Sequence, residues 1–239
     1  MKPDVKDEES SELAARADVW VVIAAYKEAK VIGETVRTVL AEFPNVVVVD
    51  DGSADDTGAV ARGAGAAVVT HPINLGQGAA LQTGITYGLT RGAKWLVTFD
   101  ADGQHRIEDA IALLRALQAS DIDIVCGSRF LGSAPNLPLA RKWLLKLAVV
   151  FTWLTTGIRM TDAHNGLRAL TADAARRIEI SQNRMAHASE IIGEIRRKKL
   201  RHAEAPVTIL YTEYSLAKGQ KISNALNIIL ELLGGRLHK

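Results

Sequence analysis

Apolar residues fall along this chain in two alternating rhythms. Short runs in which nearly every position is apolar, "VWVVIAA" from Val19, "NVVVVD" from Asn45, "AAVVT" from Ala66, "KWLVTFD" from Lys94 and "DIDIVCG" from Asp121, have the length and β-branched content of buried strands. Between them lie segments with apolar residues three and four apart: "VIGETVRTVLAEF" from Val31, Thr57 to Arg62, Ala79 to Thr90, and Ile107 to Ala119. Strands apolar on both faces and alternating with helices predict a mainly parallel sheet flanked by helices, a doubly wound, Rossmann-like α/β domain. Such a domain carries its sites outside the C-terminal ends of its strands.

After Cys126 the rhythm stops. "GSRFLGSAPNLPLAR" reads as a loop rich in Gly, Pro and Asn. "KWLLKLAVVFTWLTTGI" follows, with Arg141, Lys142 and Lys146 at its start, and its uninterrupted apolar part, Leu147 to Leu154, is far below the roughly 20 residues of a spanning helix. A core helix is the first expectation here, and an interfacial amphipathic helix the alternative. Near the end, "GQKISNALNIILELLGGRL" puts Asn224, Asn227 and Glu231 on one helical face and Ile222, Ala225, Ile229 and Leu233 on the other, which predicts packing on the body or on a partner.

Composition narrows this picture modestly. With 239 residues, 48% hydrophobic and 23% charged, the chain suits one large soluble domain. Net charge is +2, but acids outnumber bases two to one in residues 1–18, and bases outnumber acids two to one in 184–239, where an anionic partner would dock. A single cysteine, Cys126, permits neither a disulfide framework nor a Cys/His zinc site, and reads as a buried, inert thiol in a reducing cytoplasm. The first apolar run is strand-length and preceded by an acidic tail, so no signal peptide is expected.

Several familiar chemistries fail on residue order. "GAGAAV" at Gly63 precedes a strand, and "GQGAAL" at Gly76 lacks the third small residue in register, so neither is a dinucleotide fingerprint. There is no G-x-x-x-x-G-K-[ST] loop and no G-x-S-x-G elbow. The basic run "RRKKLRH" at Arg196 has no interleaved aromatics, which argues against a nucleic-acid groove. What remains is a set of acidic strand ends: "AYKE" after the first strand, Asp50-Asp51 after "VVVV", and Asp100 with Asp102 after "LVTF". Three on one edge suit a metal ion or ribose hydroxyls. A solvated turn that caps the next helix is the competing account of "TFDADGQH".

Taken with their order and spacing, these segments resemble family 2 glycosyltransferases of the GT-A fold over about residues 19–219, in particular the polyprenyl-phosphate mannose or glucose synthase branch. "VVIAAYKEAKVIGETV" is similar to that family's opening strand and turn, "VVVVDDGSADDT" to its D-D-G-S-x-D-x-T loop, "NLGQGAALQTG" to its N-x-G-x-G-x-A-x-x-x-G helix start, and "DADGQH" to its D-x-D element. "GSRF", "NLPLAR" and "TDAHNGLRAL" resemble its later arginine loop and D-x-x-x-G-[FL]-[RK] segment. The resemblance implies an arm over 1–17, a catalytic domain over 18–219 and an amphipathic C-terminal helix and tail over 220–239.

It also implies roles. Asp102 and Gln104, with Asp100, would hold Mg2+ or Mn2+, Asp100 also facing the ribose or sugar of a GDP- or UDP-hexose donor. Tyr26, Glu28, Asp50, Asp51, Asn74 and Gly76 would line the nucleotide pocket, Gly52 allowing close backbone approach and Ser53 capping the next helix. Arg129 and Arg141 would stabilise phosphate charge, Asp162 and Arg168 would flank the acceptor or donor sugar, and Lys218 in "YSLAKGQK" would approach the phosphates. The expected reaction is inverting transfer to a polyprenyl phosphate, because "QNRM" at Gln182 lacks the tryptophan of the Q-x-x-R-W element found in polysaccharide-type relatives. Transfer to a saccharide hydroxyl, or a silent nucleotide-sugar-binding subunit, are the alternatives. Ala24-Ala25 stand where the family usually has proline, and Lys27 where it has asparagine. The chain carries no C-terminal transmembrane pair of the kind common in that branch, so a peripheral protein on the cytoplasmic membrane face is expected. Its amphipathic helices, a small integral partner docking on "ISNALNIILELLGG", or a homo-oligomer would complete the assembly; no nucleic acid is expected.

Overall fold

The computed structural model describes residues 16–183 and 186–211. Along the chain these form β1 (Val19–Ala25), α1 (Ile32–Leu40), β2 (Val46–Asp50), α2 (Thr57–Gly63), β3 (Ala67–Thr70), α3 (Gln77–Thr90), β4 (Trp95–Asp100) and α4 (Ile107–Gln118), in the predicted alternation. There follow β5 (Ile124–Ser133), α5 (Leu139–Thr156), β6 (Arg168–Thr171), α6 (Ala172–Arg177), α7 (His187–Arg197) and β7 (His202–Thr208). The seven strands make one sheet in the order β3-β2-β1-β4-β6-β5-β7, parallel except that β6 runs antiparallel to both its neighbours.

The strands read as apolar throughout because both faces are covered. On one face Val21, Ile23, Val48 and Val97 pack with Val36 and Val39 of α1 and Leu113 and Leu117 of α4. On the other, Val22, Val47 and Leu96 pack with Leu81 and Ile85 of α3 and Ile191 and Ile195 of α7. Alternate residues of each strand therefore feed opposite cores, as a pleated strand requires.

Two expectations need correction. The stretch after Cys126 is not a continuous loop: β5 runs on to Ser133, its inner half buried and paired with the edge strand β7, its outer end exposed and rejoining β7 only at Ser133 after a register shift. The next segment is helical but is no core helix, since only Thr152 of α5 is buried. Two strands also went unforeseen. β6 is four residues long and begins with an arginine, and β7 is "HAEAPVT", mostly half-exposed and interrupted by Pro206, whose missing N–H an edge position tolerates. The 1–17 arm, apart from Arg16 and Ala17, and the 220–239 helix lie outside the described residues.

Candidate active site

The C-terminal ends of β1, β2 and β4 open onto a cleft of about 700 Å³. Tyr26, Glu28, Asp51, Asn74 and Gly76 line one part of it, Asp100, Asp102 and Gln104 another, and Arg129, Arg141 and Arg168 a third. Eleven of the residues singled out from sequence thus come together in one cavity.

The rest of the D-D-G-S loop builds the wall and does not line the cleft. Asp50 is buried, its Oδ1 accepting the Ser53 N–H at 3.1 Å and its other oxygen lying where a Cβ on Gly58 would intrude. Gly52 has φ +69°, and a side chain there would strike the backbone of Ile73 and Asn74, so the close approach it permits is between two loops of the protein. Ser53 does not cap α2, which starts after Asp56; its Oγ instead accepts the Lys27 N–H at 2.9 Å and fixes the turn carrying Tyr26 and Glu28. Asp51 reaches the cleft but also braces it. Its Oδ1 accepts from His71 Nδ1 at 2.7 Å and from the Leu75 N–H at 2.9 Å, and its Oδ2 from the Gly76 N–H at 2.7 Å, which together hold the Asn74–Gly76 turn in place.

At the end of β4, the paired acids do not cap a helix. α4 begins at Ile107 after Arg106, and the acids of its first turn are Glu108 and Asp109. Asp102 Oδ1 accepts the Gln104 N–H at 3.1 Å, closing a tight turn through Gly103. Asp100 Oδ2 accepts from His105 Nε2 at 2.9 Å, and Gln77 Nε2 donates to its Oδ1 at 3.4 Å. Burial pushes the Asp100 carboxyl up, but the His105 charge and hydrogen bond, with Arg168 and His187, outweigh it and hold the group below the ordinary carboxylate value. Asp102 goes the other way: burial, then the charge of Asp100, with Glu28 adding to it, raise it to about 6.

That crowding is the observation on which a cation fits. Asp100 and Asp102 share one edge of the cleft, and Asp102 is driven toward protonation by burial and then by the charges of Asp100 and Glu28, a cost that a divalent cation would remove. No group of three or more His, Cys, Asp or Glu side chains able to hold a metal on their own occurs among the described residues. A hard cation that takes one or two protein oxygens and completes its shell with phosphate oxygens needs no more than Asp102 and Gln104 offer.

Opposite in charge is the arginine group. Arg129 is buried and held on every side: its Nε donates to Asp162 Oδ2 at 2.5 Å, Nη1 to the Tyr211 hydroxyl at 2.9 Å and Nη2 to the His164 carbonyl at 3.1 Å. Burial works against the guanidinium, but Asp162 and then Tyr211 outweigh it and keep it charged. Asp162, expected in the site, does not line the cleft; it accepts from the Arg129 backbone and side chain and acts as the anchor beneath. Arg141, at the start of α5, stacks over the Tyr211 ring at 5.1 Å. Arg168 enters from β6, is buried, and has an Nη1 without a hydrogen-bond partner.

Gln77, His105, His164, Asn165, Gly166 and His187 also line the cleft and were not foreseen as site residues. His105 is buried, hydrogen-bonded to Asp100, and stands edge-on to Phe99. Gly166 is required because a Cβ there would collide with the Asp100 carboxylate. Its neighbours in "TDAHNGLRAL" carry the signal that was available, since the segment had been singled out for its Asp and Arg alone. Burial, with Arg168 and Arg129, lowers His164 to about 4 despite the pull of Asp162, so its ring is neutral at physiological pH. Lys218 lies outside the described residues.

Comparisons with known proteins agree with this fold. Residues 20–179 match the model of the family described as glycosyl transferase family 2. The UDP-N-acetylglucosamine–dolichyl-phosphate N-acetylglucosaminyltransferase of Methanococcus voltae is 30% identical over 90% of this chain and 94% of its own length. The undecaprenyl-phosphate mannosyltransferase of Micrococcus luteus is 30% identical over 84% of this chain and 86% of its own. Among solved structures, glucosyl-3-phosphoglycerate synthase from Mycobacterium tuberculosis, crystallised with Mn2+, uridine diphosphate and phosphoglyceric acid, superposes with a TM-score of 0.69 at 16% identity, covering 97% of this chain and 84% of that one. The chain belongs to glycosyl transferase family 2 and is a transferase with the GT-A fold.

Proposed function

We propose that the protein is an inverting glycosyltransferase that moves a hexose or N-acetylhexosamine from a UDP- or GDP-sugar to a polyprenyl phosphate, with Mg2+ or Mn2+, at the cytoplasmic face of a membrane. The observation that carries this reading is the division of one cleft into a carboxylate edge, Asp100 with Asp102, and a guanidinium edge, Arg129, Arg141 and Arg168. A donor diphosphate with its cation suits the first, and a second anionic reactant suits the other. The names of the Methanococcus voltae and Micrococcus luteus relatives, which specify prenyl-phosphate acceptors, support the same choice.

In this scheme Tyr26, Glu28, Asp51, Asn74 and Gly76 receive the nucleoside. Asp102 and Gln104 would hold the cation, whose chemistry is to neutralise the diphosphate as charge develops on it. Asp100, kept ionised and oriented by His105, faces the donor sugar. An oxygen of the acceptor phosphate attacks the anomeric carbon, the bond from that carbon to the diphosphate oxygen breaks, and the electron pair leaves with the nucleoside diphosphate. Arg168, whose Nη1 has no hydrogen-bond partner in the protein, holds the incoming phosphate together with Arg141, and the anchored charge of Arg129 helps to offset its repulsion from the diphosphate. Because that phosphate arrives already ionised, no side chain has to remove a proton, and neutral His164 serves as a hydrogen-bonding wall.

The test is transfer of label from each of a panel of radioactive UDP- and GDP-sugars to detergent-dispersed undecaprenyl and dolichyl phosphates, followed by solvent extraction. Transfer to the organic phase from one nucleotide sugar, abolished by chelation, is the expected result. Transfer to a free saccharide with none to either lipid would overturn the acceptor.

A further inference from the structure

An ordinary surface helix turns its apolar face inward. α5 does the reverse as well: Leu139, Trp143, Leu147, Val150 and Leu154, spaced four, four, three and four residues apart, form a stripe along its outer side, and each is between 46% and 75% exposed. Trp153, 38% exposed, flanks the stripe. The inner side is pinned to α7 by a hydrogen bond between the hydroxyls of Thr152 and Ser189 at 3.1 Å. A continuous outward stripe of this length needs an occupant, because monomers in water rarely present one.

The charges around the stripe say which. From Ile124 to Thr161 the sequence contains no acid, while Arg129, Arg141, Lys142, Lys146 and Arg159 fall within it. Lys142 and Lys146 are exposed on α5 itself. Lys146 Nζ lies 5.7 Å from the Trp143 ring and the Arg159 guanidinium 4.6 Å from the Trp153 ring, so cations border the indoles. Aliphatic and indole side chains bordered by bases, on a stretch of chain that carries no acid, match the layered polarity of a bilayer surface: acyl chains for the stripe, anionic headgroups for the bases. A protein partner would give no reason to exclude acids throughout. The same helix also reaches the cleft, because its Arg141 lines it and stacks on Tyr211, whose hydroxyl accepts from Arg129.

We propose that the outer face of α5 seats the protein on a bilayer carrying anionic lipid, so that Arg141 at its first turn meets the phosphate of a lipid still held in that bilayer and passes it toward Arg129. The seating stands on the helix alone; the passage of the phosphate rests on the acceptor reading above. No helix among the described residues is long and apolar enough to cross a membrane, so this contact is interfacial.

The experiment is flotation of the full-length protein with vesicles of phosphatidylcholine, with and without phosphatidylglycerol. The wild type is expected to float with the anionic vesicles. Leu147→Glu/Leu154→Glu should lower its partition at least tenfold, and Lys142→Ala/Lys146→Ala should lower it about fivefold per lysine, on anionic vesicles only. Thermal melting of both variants should match the wild type, and transfer to a water-soluble short-chain prenyl phosphate should be unchanged while transfer to a long-chain lipid in vesicles falls. Flotation that is absent in the wild type, or equal in the variants, overturns the seating. So does loss of a dimer in the variants with flotation retained, which assigns the stripe to a second copy, and so does flotation with native membranes only, which assigns it to an integral partner. Correct flotation with no transfer to any prenyl phosphate would sink the acceptor reading and leave the seating intact.

Discussion

Asp102 shows how far a single position can be read in advance. Its place in "DADGQH" marked it as a cation ligand, but its elevated protonation comes from burial first and then from the charges of Asp100 and Glu28, surroundings that only folding assembles. A carboxyl whose folded pKa is about 6, above the ordinary 3.8, binds protons more tightly in the native state, so its contribution to stability falls as pH rises from about 4 to 6. A divalent cation competes with that proton. Mn2+ should therefore raise the melting temperature clearly above pH 6 and very little near pH 4.5, and Asp102→Asn should abolish the rise at both; differential scanning fluorimetry with and without Mn2+ checks this. Asp162 is the opposite lesson, for its motif pointed to the site and its side chain serves the residue beneath it. Removing its charge leaves the buried Arg129 guanidinium unpaired, so Asp162→Asn should cost about 3–5 kcal/mol of stability in urea unfolding. Arg129→Met/Asp162→Leu should regain much of that stability without regaining transfer.

At the scale of elements, the parallel half of the fold was legible because its strands are fully buried and its helices amphipathic, so periodicity alone separates them. The second half was not. β6 is placed by pairing with β4 and β5, and its four residues show no pattern of their own. α5 was legible as a helix and misread as core, since apolar content says how much surface a helix must cover and not what covers it. The buried polar tie between Thr152 and Ser189 makes a local prediction. Thr152→Val removes the hydroxyl that meets Ser189 and should cost about 1–2 kcal/mol. Faster amide exchange should appear over Leu139–Thr156, with β1, β2 and β4 unaffected, as read by mass spectrometry after deuterium labelling.

For the whole molecule, a net charge of +2 is too small to draw it to any surface by itself, so attraction to anionic lipid must come from a local patch. Salt then discriminates. Raising ionic strength from about 0.05 to about 0.5 M shortens the screening length severalfold and should weaken vesicle flotation by roughly an order of magnitude without abolishing it, because burial of the leucine and tryptophan stripe does not depend on charge. Flotation that vanishes with salt would mean the lysines act alone. The sheet order has an outcome of another kind. β4 and β5 are joined only through β6, which carries Arg168, follows Gly166 and runs antiparallel to both. The strand that links the carboxylate end of β4 to the arginine-bearing β5 thus comes after both of them in the chain. A chain cut short before residue 168 would carry the loops that follow β1, β2 and β4 while its arginine edge stayed incomplete.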